Sequence, residues 1–308
     1  WCVMILAHAP LRFSLGGGGS DLPGYAEAHG GFVVSAAIDA HAYVLLHRRF
    51  DGRIGVRHER CEVVDSVAAV GHPIVREALA LTGWRGGLEI TSGATLPAGS
   101  GLGSSSSFTV AVLAVLWALS EARGEQPSAA RLAEQACAVE IERLGRPMGK
   151  QDAYVAAHGG IVAMTFARDG SVDVERLALP TTQLAARLVI AFSGVTRGAD
   201  DVLQAQVATL KRDPEDMHRI KAMGYEARDL LLAGDIDGFG GLLDEHWQRK
   251  RRLATGVSAT PLEEHYRAAR EAGAIGGKLM GAGGGGFFML CVPEDGRAEV
   301  EQAMLARG

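Results

Sequence analysis

The sequence predicts an α/β (α+β) fold in two lobes, spanning residues 1–182 and 183–308. Three observations carry this. The first third reads mainly as apolar strands, and later segments alternate helical and strand patterns. Glycine-rich loops concentrate at three places, each beside a strand or helix pattern. No repeat of solenoid length recurs, so a stacked array is excluded.

Composition narrows the function classes. The chain has 308 residues, 47% of them hydrophobic and 22% charged, with a formal net charge of -5. That is ample for a core without staples and too ordered in composition for wholesale disorder. The mild acidity argues against a nucleic-acid partner, which requires a basic face. The cysteines Cys2, Cys61, Cys137 and Cys291 form no CxxC pair, and buried free thiols are expected. No run reaches the ~18 apolar residues of a membrane span. Trp1 to Leu6 lacks a basic n-region and a cleavage site, so no signal peptide is read. Met4 is a candidate start. A cytoplasmic protein acting on small molecules is expected.

Met4 to Leu15 reads as a strand, and Gly31 to His47 as paired buried strands rich in Val, Ile and Tyr. Arg53 to Val64 and Leu88 to Leu96 continue the pattern, with a short helix at Ile74 to Leu81 between them. Pro97 stops the strand. A helix runs from about Ser105 to Ala122, and Ser128 caps another that reaches Leu144. Gly145 to Asp152 is a loop. Strands are expected at Ile161 to Phe166 and Val172 to Leu177, and Thr181–Thr182 marks the lobe boundary. The second lobe opens with strand Leu188 to Phe192. Helices follow at Ala199–Leu210, Met217–Leu232, Ile236–Leu253 and Pro261–Ala272. The glycine-rich stretch Gly276 to Gly286 comes next, then a buried strand at Phe287 to Val292, and a last helix starts at Arg297.

The middle loop runs from Pro97 through Gly99, Ser100, Gly101, Leu102 and Gly103 to Ser104, Ser105 and Ser106. Its glycines let backbone N–H groups converge, and the following helix directs its positive end at the same place. Serine hydroxyls can complete a phosphate or Mg²⁺ shell. The pattern is neither GxxxxGK[ST] nor GxSxG. A flexible linker is the bland alternative, but strong elements abut it on both sides. The last loop, Gly281 to Gly286, contains GxGxxG but opens a strand instead of a helix. Close approach to a ligand or to the first lobe, or packing between backbones, explains it better than a dinucleotide site. The first loop pairs Gly16–Gly19 with Asp21. Its carboxylate suits polyol hydroxyls, or simply an Asx-turn.

At these residues the chain resembles the GHMP kinases. Ala9-Pro10-Leu11-Arg12 through Gly17-Gly18-Gly19-Ser20-Asp21 is similar to the family's first motif, Pro97 to Ser106 to its ATP loop, and Lys278 to Gly286 to its third. Gly149-Lys150-Gln151-Asp152, Ser193 to Arg197 and Glu245-His246-Trp247 with Lys250 resemble the heptose 7-phosphate branch of the sugar 1-kinases. Ala153 stands where members often carry Gln, and the loop from Glu142 to Asp152 is short. The resemblance implies a GHMP N-terminal α/β lobe and a ferredoxin-like C-terminal lobe, with ATP and Mg²⁺ as cofactors.

It also implies roles. Asp152 is the expected catalytic base, with an N-cap as its ordinary alternative. Arg12 would sit beside the reacting hydroxyl, or pair with a carboxylate at the surface. Glu142 would bind Mg²⁺ with Ser104 or Ser105, and Glu140 is its competitor. Gly18, Gly19, Ser20, Asp21, Gly283 and Gly284 would line the sugar site. Arg197 and Lys250 would hold the substrate's own phosphate, although Lys250 also belongs to a basic run near a helix C-terminus. The activity implied is ATP- and Mg²⁺-dependent phosphorylation of an anomeric hydroxyl, of D-glycero-D-manno-heptose 7-phosphate. A kinase for a neutral sugar or cyclitol, and a silent sugar or nucleotide sensor, are the alternatives.

Overall fold

A computed structural model of the protein describes residues 4–97, 99–120, 127–195, 214–253, 260–281 and 285–307. Arg197, Gly283, Gly284, Cys2, the helix expected at 199–210 and the expected end of a helix at Ala122 lie outside them.

The N-terminal half is built on one long strand. β1 (Met4–Gly16) lies antiparallel to β2 (Gly31–Arg48) along nearly its whole length. The expected strand pair at Gly31–His47 is thus a single strand. It reaches two neighbours on its other edge: β5 (Leu88–Ala94) pairs with Ala42–Arg48, and β6 (Ile161–Phe166) with Gly31–Ala36. β3 (Ile54–Arg57), β4 (Cys61–Val64) and β7 (Val172–Arg176) complete a seven-stranded sheet. β3 runs parallel to β5, and the other pairings are antiparallel.

Helices cover one face of this sheet. α1 (Pro23–His29) follows β1. α2 (Pro73–Thr82) takes its N-cap from His72 and ends on Gly83 in the left-handed region. α3 (Ser104–Leu119) is apolar almost all round. It is buried accordingly, between the sheet and α2, α4 and α5. α4 (Ala129–Cys137) starts on its Ser128 cap and runs on through one wide π-helical turn, residues 138–143. α5 (Gln151–His158) follows the loop after it.

The C-terminal half has α6 (Thr181–Ala186), β8 (Leu188–Phe192), α7 (Glu215–Ala233), α8 (Ile236–Leu253), α9 (Thr260–Glu271), β9 (Gly276–Leu279), β10 (Phe287–Cys291) and α10 (Arg297–Leu305). β8, β10 and β9 make an antiparallel sheet in that order. No strand was expected at β9. Its glycines hid it, and they serve packing: a Cβ on Gly276 would fall 2.1 Å from the Gly240 carbonyl oxygen of α8.

The two halves share a core. Leu11, Leu15, Phe32 and Val34 of the large sheet pack with Met223, Ala227, Phe239 and Leu243 of α7 and α8, and with Met289 and Cys291 of β10. α7 therefore lies on the face of the large sheet that α3 leaves open. Cys137 and Cys291 are buried free thiols as expected, but Cys61, on edge strand β4, is exposed.

Candidate active site

The three glycine loops converge on one cleft of ≈ 1080 Å³. Arg12 and Asp152 both line it. Arg12, 5% exposed, donates from Nε and Nη2 to the two carboxylate oxygens of Asp152, at 2.6 and 2.8 Å. The fork geometry fixes both groups, as a planar guanidinium does on a carboxylate. Nη1 donates to the Gly101 carbonyl at 2.7 Å, and the Arg12 amide donates to the Leu102 carbonyl at 3.0 Å. The first strand thus carries the middle loop. Asp152 sits in the first turn of α5, and its carboxylate points into the cleft.

Gly99, Gly101 and Gly103 all have φ of 76°. Gly103 is the N-cap of α3, and a Cβ there would sit 3.1 Å from Asp152 and 3.2 Å from Arg12. The first amides of α3 have no intrahelical acceptor, so the helix opens on the cleft with free donors. Leu102 and Ser100 turn into the protein, whereas Pro97 and Gly99 are exposed.

Beside the loop is a buried carboxylate. Glu140, 1% exposed, accepts from Ser105 Oγ at 2.5 Å, Ser106 Oγ at 2.7 Å and Arg146 Nη1 at 2.8 Å. Burial pushes its carboxyl above the usual range, and the serines and Arg146 pull it back. Glu142 is exposed. Of the two carboxylates considered for the metal, Glu140 and not Glu142 is thus the one that meets the serines. Both stand on the π-helical turn, where residues two apart point to opposite sides, and only Glu140 faces the serines. One carboxylate, adjacent hydroxyls and a phosphate-shaped backbone cradle suit Mg²⁺ held together with a nucleotide. No cluster of three or more His, Cys, Asp or Glu that could hold a metal by itself exists among the described residues. Ser104 lines the cleft as well.

The first loop departs from expectation. Ser20 is fully buried, and its Oγ exchanges hydrogen bonds with the Phe32 backbone, at 3.0 Å in both directions. It holds the turn instead of a ligand. Asp21, 2% exposed, accepts from the Gln151 amide at 3.0 Å, Gln151 Nε2 at 3.1 Å and the Gly19 amide at 3.2 Å. Burial raises its carboxyl, opposed by the Gln151 amide bond. Asp21 thus anchors the start of α5, and with it Asp152, while lining the cleft alongside Gly18 and Gly19. Gly18 is pressed against Ser14, where a Cβ would come within 2.4 Å of Oγ. That Ser14 hydroxyl is buried without a hydrogen-bond partner among the described residues.

The last loop packs backbone against backbone. Cβ atoms on Gly281 and Gly286 would stand 2.7 Å from Gly101 and 2.5 Å from the Ser100 carbonyl. Close approach of the lobes explains these glycines. Lys250 of α8 reaches the same floor and donates from Nζ to the Gly281 carbonyl. Burial first, and the charge of Arg12 second, lower its pKa to about 8.

Sequence reasoning missed several residues of the cleft. His58, His72 and Phe108 cluster at one end, with ring centroids 5.0 to 5.5 Å apart. They come from three separate elements, so no spacing announces them. Arg146 had no signal beyond its charge. Gln151 was legible as the neighbour of Asp152, and Ser14 as the residue two after Arg12.

Comparison with known proteins bears on this arrangement. Residues 67–160 match the GHMP kinases N terminal domain and residues 227–308 the GHMP kinases C terminal domain. The chain is similar to D-glycero-alpha-D-manno-heptose 7-phosphate kinase of Campylobacter jejuni, 30% identical over 94% of this chain and 89% of that one. It is also similar to galactokinase of Pyrococcus furiosus, 27% identical over 89% and 87%. A solved D-glycero-D-manno-heptose 1-phosphate kinase from Bacteriodes thetaiotaomicron superposes with a TM-score of 0.81. It is 27% identical, with 99% and 93% of the two chains covered. A solved putative sugar kinase of Campylobacter jejuni gives 0.78 at 28% identity, covering 98% and 92%. The matched domains and the cleft they enclose converge on one conclusion: the chain belongs to the GHMP kinases and has the fold of that family's sugar kinases.

Proposed function

We propose that the protein phosphorylates the anomeric hydroxyl of D-glycero-D-manno-heptose 7-phosphate, giving the 1,7-bisphosphate, with ATP as donor and Mg²⁺. The observation that carries the reading is the Arg12–Asp152 pair, which shares one cleft with a phosphate-type loop and two lysines. The relatives named for heptose kinases differ in where the heptose carries its phosphate, so the position is part of the proposal.

Each residue then has a task. Asp152 accepts the hydrogen bond of the attacking hydroxyl and takes its proton as that oxygen bonds to the γ-phosphorus and the bond to the departing ADP oxygen breaks. Arg12 holds that carboxylate in place and offers positive charge to the developing alkoxide. The amides of Gly103 to Ser105 face the donor phosphates, and Glu140 with Ser105 and Ser106 would hold the metal. Bound Mg·ATP would supply the phosphoryl group, and its metal ion would offset the negative charge of the phosphates. His58, His72 and Phe108 offer the nucleobase an aromatic wall. Ser14 and the Gly18–Gly19 backbone face the sugar. Lys250 and Arg197 take the substrate's phosphate, and Gly283 and Gly284 complete the sugar site.

The test is ATP consumption against D-glycero-D-manno-heptose 7-phosphate, mannose 6-phosphate, galactose, fucose and buffer alone. Turnover confined to the heptose phosphate is the expected outcome. Turnover with galactose or fucose would replace the substrate while keeping the kinase. Asp152→Asn should lose about 10²–10⁴-fold in turnover with AMP-PNP binding intact. Full activity in that variant would remove Asp152 from the chemistry.

A further inference from the structure

Lys278 of β9 is 3% exposed and still lines the floor of the cleft. Its Nζ has one polar neighbour among the described residues, His246 Nδ1 at 3.5 Å. No ion pair to a carboxylate is formed by either Lys278 or Lys250 among those residues. The charged groups that face Lys278 are Lys250 of α8 and Arg12 of β1, both cationic, and with burial they lower its pKa. Arg12 is already matched by Asp152. Lys250 spends one donor on a neutral carbonyl. Asp244 of α8 is engaged elsewhere, by Tyr266. His246 is 2% exposed, and its Nε2 has no partner among the described residues. Among the described residues, two lysine amines thus line the same cleft and neither is ion-paired to a carboxylate. Buried cations are found where a ligand or partner supplies the opposite charge.

The position is specific. Lys250 feels Arg12 and Asp21, and Lys278 feels Lys250 and Arg12. Both lysines line the same cleft as Arg12 and Asp152, and Lys250 reaches Gly281, which packs on Gly101.

We propose that Lys278 is a phosphate ligand of this kinase, closing with Lys250 on the phosphate group of a substrate seated at the floor of the cleft. This rests on the phosphotransfer reading above and adds a residue to it. The acceptor's own phosphate and the γ-phosphate of the donor present the same chemistry, and the experiment separates them. His246 is the positioning residue that keeps the Lys278 side chain turned toward the cleft, and proton uptake onto the amine accompanies anion entry.

The test is calorimetric titration of the full chain at pH 8 in two buffers of different ionisation enthalpy. The probes are inorganic phosphate, D-glycero-D-manno-heptose 7-phosphate and Mg·AMP-PNP, against wild type, Lys278→Met and Lys278→Arg. The expected result is a loss of at least tenfold in affinity for a phosphate-bearing probe in Lys278→Met, with lower proton uptake, and recovery of the affinity without the proton uptake in Lys278→Arg. Loss confined to the heptose phosphate assigns the acceptor's phosphate, and loss confined to AMP-PNP assigns the donor's. Unchanged affinity and unchanged proton uptake with all three probes overturns the proposal. Lys278→Gln is decided by the same criteria should the Met variant fold poorly. A wild type that binds phosphate and AMP-PNP but not the heptose phosphate would refute the substrate reading alone, leaving the lysine to the other two arms.

Discussion

Glu140 and Glu142 are equal in composition and differ only in phase along a helix. The family resemblance implied a metal-binding carboxylate on this stretch, but which of the two meets Ser105 and Ser106 depends on which side of the helix each occupies. A π-helical turn makes that phase illegible, because the expected 3.6-residue repeat no longer applies through it. Glu140→Gln should raise the Mg²⁺ needed for half-maximal rate by at least about 10-fold, while Glu142→Gln leaves it unchanged. A Mg²⁺ titration of the rate decides this, and equal effects would leave Glu140 without a special part in metal binding. Lys250 gives a second residue-scale outcome. Its pKa is lowered to about 8, so it is a cation below that pH and neutral above it. KM for a phosphorylated acceptor should therefore rise above pH 8, by about tenfold per unit for a single required proton. In Lys250→Met the rise should vanish and KM should be high throughout. A flat wild-type profile from pH 7 to 9.5 would detach Lys250 from substrate binding.

At the scale of elements, the three glycine loops were the most legible part of the chain, and their roles were legible to different degrees. The middle loop was readable because a phosphate cradle and a helix N-terminus occupy one contiguous stretch. The third loop left two readings open. Its glycines were consistent with a ligand or with packing, and Gly281 and Gly286 meet the Gly101 and Ser100 backbone. Such contacts join residues far apart in sequence and leave no local signature. β9 was hidden for the same reason, since Gly276 and Gly277 carry no side chain from which a strand could be read. Gly103 tests how tightly the loop is tied to the chemistry. An alanine there meets a left-handed φ, worth roughly 1–2 kcal/mol, and its Cβ crowds Asp152 and Arg12. Gly103→Ala should cut turnover steeply with only a modest fall in melting temperature. Wild-type turnover would show that the loop tolerates displacement, and that the Arg12–Asp152 geometry is held from elsewhere.

For the whole molecule, the boundary expected at residue 182 divides the sequence more cleanly than it divides the core. Composition and periodicity describe segments one at a time. They gave no sign that α7 crosses onto the large sheet, because the residues that fit there are small. Gly16 and Gly224 let the helix approach: a Cβ on Gly16 would stand 2.6 Å from Ala227, and one on Gly224 2.9 Å from the Phe32 carbonyl. Leu11, Leu15, Phe32 and Val34 bury their side chains only because α7, α8 and β10 cover them. Apolar burial is the dominant favourable term in folding, so neither half retains its full core without the other. Thermal unfolding followed by circular dichroism and by tryptophan fluorescence should accordingly coincide in one transition, although Trp84 and Trp117 report on the first half and Trp247 on the second. Gly224→Val should overpack this seam, at about 1–3 kcal/mol, and lower that single transition without splitting it. The same wedge would pull the Lys250–Lys278 floor away from Arg12 and Asp152, so acceptor KM should rise in the variant at temperatures well below unfolding. Two resolved transitions, in wild type or variant, would show instead that the seam is a contact between independently stable lobes.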